Sequence, residues 1–348
     1  MASHGKSIPI RRLLSTEVSI CRQTSWRGPR VFGHFHLSPS ICVDSASPAN
    51  LTLAALKDAV RLLVYFGATI LLGALLAPIL FWGAQCLAAN HVFPALAKFE
   101  FETFFHRALL IAALALLWPL LQTIRVRKMS DLGLQSNSEW PRDFLAGFVI
   151  SATPLLCCAG VLMLFHVFSL RITLTWILAA KVIAAAISVP LIEELLFRGL
   201  IFGILLRSGR VLISILFTSA LYSIVHFLKA PVRTSTVVTW TSGFNSIAHA
   251  FSQFADPVLV LAGFSTLFLI GWILADARLQ TNSLWLPIGL HGGWIFASGM
   301  FSKIAHREMV ILPWLGKNLL VGIIPLLILG LTWALMRGCL KRNAPCKN

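Results

Sequence analysis

Eight predominantly apolar runs, each at least as long as the roughly 17 to 25 residues that cross a hydrocarbon core of about 30 Å, confine this chain to one class of fold. They lie near 59–83, 104–124, 143–168, 173–206, 211–228, 257–277, 283–301 and 318–337. Backbone N–H and C=O groups find no water in lipid and must bond within the chain. The expected architecture is therefore all-α: a polytopic membrane helix bundle of about eight transmembrane helices. Composition agrees, with 57% hydrophobic and 12% charged residues, against roughly 25% charged in an average soluble domain. The fourth run is too long for one straight span and contains Pro190, so a kink or break is expected there.

The formal net charge of +16 does not point to nucleic acid, because the basic residues sit mainly in a tail and in short loops between apolar runs. That placement suits anionic lipid headgroups. Residues 1–52 read as a basic, disordered N-terminal tail, 53–338 as the membrane domain and 339–348 as a basic C-terminal tail. No apolar run follows Arg11–Arg12, so a signal peptide is not expected. With both termini cytoplasmic, Arg125, Arg127, Lys128, Arg142, Arg207, Arg210, Arg278, Arg337, Lys341 and Arg342 fall inside. Lys98, Arg107, Arg171, Lys229, Arg233, Lys303, Arg307 and Lys317 fall outside, so the bias is modest. A bacterial inner membrane is the expected location, with an organelle membrane the alternative that the basic tail raises.

The seven cysteines show no C-x-x-C pair or zinc-like spacing and read as small core residues. Only two residues follow Cys346, so a C-terminal C-a-a-X prenylation signal is not expected. No internal repeat, G-x-G-x-x-G or P-loop is visible. The longest polar interruption, residues 229–256, suits a surface loop or a re-entrant segment.

Against this background the stretch "SVPLIEELLFRG", Ser188 to Gly199, is anomalous. Each ionised side chain in a span costs roughly 2.5 to 3.5 kcal/mol on insertion scales, so these charges need partners. On a helix Glu194 and Arg198 are four apart and share a face, which makes them a structural pair. Glu193 lies about 100° further round and is left free. Gly209, in "RSGR", is the centre of a turn, with Glu193 16 residues before it (209 − 193) and His226 17 after it (226 − 209). An antiparallel hairpin would bring the two to nearly the same depth. A second intramembrane histidine, His291, sits beside Gly289, Gly292 and Gly293, which would let another helix or a substrate backbone approach. A glutamate and two histidines form a water-activating set: the carboxylate takes a proton, one imidazole orients it, and the other stabilises the oxyanion. A lone intramembrane histidine is more often a satisfied core residue. Three such groups on separate helices favour catalysis. Trp140, Trp285, Trp314 and Trp333 read as interface anchors or core.

"EELLFRG" resembles the E-E-x-x-x-R motif of the CAAX protease and bacteriocin-processing family, intramembrane proteases that include the type II CAAX prenyl endopeptidases. "YSIVHF" resembles its second motif, an aromatic residue followed four later by His, with Tyr222 where Phe is usual. "SLWLPIGLHGGW" resembles its third, ending on His291. The resemblance covers residues 180–300 and implies a protease core. By it, Glu193 would activate water with help from His226, His291 would stabilise the oxyanion, and Glu194 and Arg198 would hold the architecture. Two histidines and a glutamate could also bind Zn²⁺, through Glu193, His226 and His291. A metal-free mechanism is favoured, because Glu193 cannot easily be both a ligand and the free base. The third motif often continues H-x-x-x-N, but position 295 is Ile. Trp294, Asn245 or a backbone N–H would then have to supply the oxyanion donor.

The function expected is that of an intramembrane endopeptidase acting on a membrane-associated protein or lipidated peptide, with the lipid bilayer as its other partner. A scaffold or immunity factor that uses the same bundle without proteolysis is the alternative. A proton-coupled carrier would also use buried Glu and His, but it lacks repeats and paired broken helices.

Overall fold

The chain divides into two units, Met1–Asn50 and Leu51–Asn348, and the description below concerns the second. The computed structural model describes residues 48–124, 132–134, 138–170, 175–207, 209–227, 237–307, 314–316 and 319–342. The tail expected at the N-terminus lies outside them up to residue 47, as do Cys21, Cys42, Cys346 and several of the basic loop residues.

The helices in chain order are α1 (Pro48–Ala89), α2 (Phe101–Ile124), α3 (Trp140–Leu164), α4 (Trp176–Glu194), α5 (Phe202–Leu206) and α6 (Val211–Phe227). After them come α7 (Ser242–Phe251), α8 (Pro257–Leu259), α9 (Ser265–Thr281), α10 (Trp285–Ile304) and α11 (Ile323–Arg342). A π-helical turn, Leu195–Ile201, joins α4 to α5, and another, Val260–Phe264, joins α8 to α9. Two three-residue strands, β1 (Phe168–Leu170) and β2 (Ala305–Arg307), form an antiparallel ribbon after α3 and α10. Each of the eight apolar runs corresponds to a helix or a stack of helices. Among the described residues, six helices are long and apolar enough to cross a membrane, and α6 is apolar but shorter. The eighth, α10, is set apart by its four glycines and His291.

Because α10 is the inner helix of the bundle, it needs no apolar coat. It packs against α3, α4 and α9, and eleven of its residues are buried. Its glycines allow this approach. A Cβ at Gly289 would strike the Phe144 carbonyl of α3, and one at Gly293 would strike Ser151 and the Phe148 carbonyl. Of the two approaches the sequence permits, these glycines serve helix packing.

The break expected at Pro190 is not there. α4 continues unbroken through it to Glu194, and the change of helix type is the π-turn that starts five residues later. Pro190 has no N–H to give the Ala186 carbonyl, yet that carbonyl lies against Gly292 of α10, whose Cα–H can approach it closely. The neighbouring helix thus covers the acceptor that the proline leaves without its helical partner.

The four described cysteines do not fill the core. Cys86, Cys157 and Cys339 are exposed on the helix surfaces and Cys158 is half-buried, because lipid accepts a small thiol as readily as the interior does. A charged lock is buried instead at the far end of α9. Asp276 is 1% exposed and accepts from Arg337 Nε and Nη2 at 2.8 Å each and from Trp333 Nε1 at 2.7 Å, tying α11 to α9. Trp333 therefore acts as a hydrogen-bond donor. Asp276→Ala is expected to cost about 2 kcal/mol, from the loss of charge-assisted bonds, and thermal unfolding in detergent checks it. Unchanged stability would mean that α11 docks through apolar contacts alone.

Residues 237–255 include α7, which packs against α1 and α2, and a following 3-10 turn. Asp58 of α1 accepts from Arg207 at 3.3 Å, which sets a common level for the two chain segments. From there Ala74 is 16 residues along α1 (74 − 58) and Glu193 14 residues along α4–α5 (207 − 193). At about 1.5 Å per residue these are heights of about 24 and 21 Å. Gly243 of α7 lies directly on the Ala74 backbone, so α7 begins near the depth of Glu193.

Candidate active site

The π-turn and the hairpin between α5 and α6 place the polar groups. Gly209 turns the chain with φ +71°, a conformation open to glycine, and its N–H bonds the Leu206 carbonyl. Glu193 and His226 then meet across the hairpin, with His226 Nε2 3.1 Å from Glu193 Oε2. The other ring nitrogen, Nδ1, is 2.9 Å from the Tyr222 carbonyl, which can only accept, so Nδ1 carries a proton. A neutral His226 would thus point a lone pair at the Glu193 oxygen. The pair is bonded only if one further proton is shared between them.

His291 reaches the same place from α10. Its Nδ1 donates to Glu194 Oε1 at 2.8 Å, and its Nε2 lies 3.8 Å from Glu193 Oε2. Glu194 Oε1 also accepts from Arg198 Nη1 at 3.0 Å, and both of these side chains are fully buried. Arg198 Nη2 extends to the Gly271 carbonyl of α9 at 3.3 Å, and the guanidinium sits 4.5 Å from the centre of the Tyr222 ring. The π-turn supplies the room: the Phe202 N–H bonds the Phe197 carbonyl five residues back, which widens the helix around Arg198.

The two adjacent glutamates therefore differ in access. The Glu193 side chain is 23% exposed and that of His226 27%, whereas Glu194 and Arg198 are sealed at 0%. One carboxylate is reachable from outside the bundle, and the other holds three helices together. Glu194 also has a use that the i,i+4 spacing does not reveal, the orientation of His291, because a contact 97 residues away leaves no local pattern. The signal available was the buried acid itself, which has more acceptor capacity than Arg198 alone fills.

The two oxyanion candidates are placed differently. Trp294 is 1% exposed and its Nε1–H has no hydrogen-bond partner among the described residues. It lies three residues beyond His291, on the same side of α10. Asn245 is exposed on α7, and no hydrogen bond among the described residues joins its side chain to Glu193, His226 or His291. Among the described residues no three His, Cys, Asp or Glu side chains are disposed to hold a metal ion, and Glu193 Oε2 is engaged directly by His226 Nε2.

No curated protein and no solved structure matches the chain at significant similarity. A family model does, over residues 173–297, the segment that carries Glu193, Glu194, Arg198, His226 and His291. That family is Type II CAAX prenyl endopeptidase Rce1-like, a protease family of the kind the three motifs resemble, and the protein is thus an integral membrane helix bundle whose residues 173–297 are similar to that family.

Proposed function

We propose that the chain is an intramembrane endopeptidase that hydrolyses a peptide bond of a membrane-associated or lipid-anchored protein with water activated by Glu193. The observation that carries this reading is the meeting of Glu193 Oε2 with the Nε2 atoms of both histidines, at 3.1 and 3.8 Å, beside a sealed Glu194–Arg198 pair. Water entering between α4, α6 and α10 gives a proton to the Glu193 carboxylate as its oxygen attacks the scissile carbonyl carbon. The shared proton on His226 Nε2 is positioned to pass to the leaving amine. As an imidazolium, His291 donates Nε2–H to the oxyanion, with the Glu194 carboxylate behind it as countercharge. The bacterial inner membrane with both termini cytoplasmic is the setting proposed, on the distribution of basic residues.

The indole N–H of Trp294 is proposed as the donor that replaces the missing Asn at position 295. Trp294→Phe is expected to lower kcat by about 10² to 10³ with the fold retained, the usual effect of removing one oxyanion donor. An unchanged kcat would leave Trp294 as core packing.

The deciding experiment compares the peptide termini of the membrane proteome in cells carrying wild type, a deletion and Glu193→Gln. The same uncut precursor should accumulate in both mutants. Ile295 favours one rival, a scaffold that has lost catalysis. It predicts a change in the deletion only.

A further inference from the structure

Besides the residues assigned above, one polar side chain in the centre of the site has no role. Tyr222 is 2% exposed and lies on α6 between every member of the set. Its ring stacks on the His226 imidazole with centroids 4.1 Å apart and planes at 34°, and it meets the edge of His291 at 6.2 Å. Phe197 closes another side at 5.1 Å, with the Arg198 guanidinium 4.5 Å from the ring centre. The Tyr222 carbonyl accepts from His226 Nδ1 at 2.9 Å, and the other nitrogen of the same imidazole lies 3.1 Å from Glu193 Oε2, which makes that carboxylate the acceptor to test for the buried hydroxyl. A phenylalanine would fill the same space and make every ring contact. The hydroxyl is the one atom that packing does not explain, and a buried hydroxyl left unpaired is costly, so its partner is informative. The chain's other tyrosine, Tyr65, gives its hydroxyl to the Ala113 carbonyl, an ordinary link between α1 and α2. Tyr222 has no such carbonyl link among the described residues, and its ring lies against the imidazole that pairs with the proposed base.

We propose that Tyr222 is a positioning residue for this site: its hydroxyl bonds the Glu193 carboxylate while its ring and carbonyl hold the His226 imidazole. One side chain thereby sets the base and its partner relative to each other. The proposal rests on the peptidase reading. Within that reading, the hydroxyl takes up carboxylate rotation that would otherwise move the accepting oxygen away from water.

The test is Tyr222→Phe in the full chain, reconstituted in nanodiscs, with two readouts. The first is the kcat and KM of cleavage of the precursor found by terminal profiling. The second is the infrared carboxylate stretch of Glu193, assigned by its loss in Glu193→Gln. The melting temperature is expected to stay near wild type and KM to hold, while kcat falls about tenfold, the scale of one hydrogen bond to a charged group. The carboxylate band should shift. An unshifted band overturns the hydroxyl contact whatever the activity, and a shifted band with unchanged kcat overturns the positioning role. If wild type and variant both cleave nothing while the band still shifts, the peptidase reading falls and the positioning role with it.

Discussion

Replacing Glu193 by Gln is expected to lower kcat for peptide cleavage by about 10² to 10⁴, the range for removing a general base, with little change in thermal stability. Glutamine has the size of the acid and keeps a bond to His226, because its amide N–H can donate to the Nε2 lone pair that Nδ1 bonding to Tyr222 leaves free. The carbonyl oxygen of the amide cannot take a proton from water. Since the Glu193 side chain is already 23% exposed, little buried surface depends on its charge. Steady-state kinetics on the reconstituted protein, beside a melting curve, check both halves. Cleavage at the wild-type rate would remove Glu193 from the role of base, and a large loss of stability would make it architectural.

Arg198→Met is expected to do the opposite, destabilising the bundle by about 3 to 5 kcal/mol and abolishing activity only as a consequence. Methionine fills much of the space but leaves Glu194 buried beside His291 without its cation, and the Gly271 carbonyl loses a donor. Much of the cost is an uncompensated charge in a site that water does not reach. The double variant Glu194→Gln/Arg198→Met should recover part of that stability, because no charge is then left alone. Unfolding in a detergent–denaturant series measures both. If the single variant is as stable as wild type, the pair does not hold the bundle.

These two variants separate what neighbouring letters of the sequence disguise. "EE" looks like a repeat of one residue, yet burial makes Glu193 and Glu194 chemically distinct: one is reachable from outside the bundle and shared with His226, the other is sealed with Arg198 and His291. The helical angle of about 100° between them was legible, and so was the match in depth across the turn at Gly209. The partner of Glu194 on α10 was not. Nor were the Asp276 lock on α11, the π-turn around Arg198 and the uninterrupted helix at Pro190. Each depends on what a distant helix presents at that point. Pro190 shows this most directly: the local rule predicts a break, and Gly292, 102 residues later (292 − 190), covers the acceptor that the proline leaves without its helical partner.

By itself the sequence determined the class of fold, the existence of eight helical runs and the set of polar residues that a membrane interior would not hold without cause. Those follow from the cost of exposing backbone and charge to lipid, which every residue meets locally. The tertiary structure alone decided which glutamate is sealed, which helix is the inner one, where Tyr222 and Trp294 stand relative to the histidines, and how deep α7 enters. Such choices turn on close contacts between segments far apart in the chain, where a missing Cβ or a shared proton outweighs local preference.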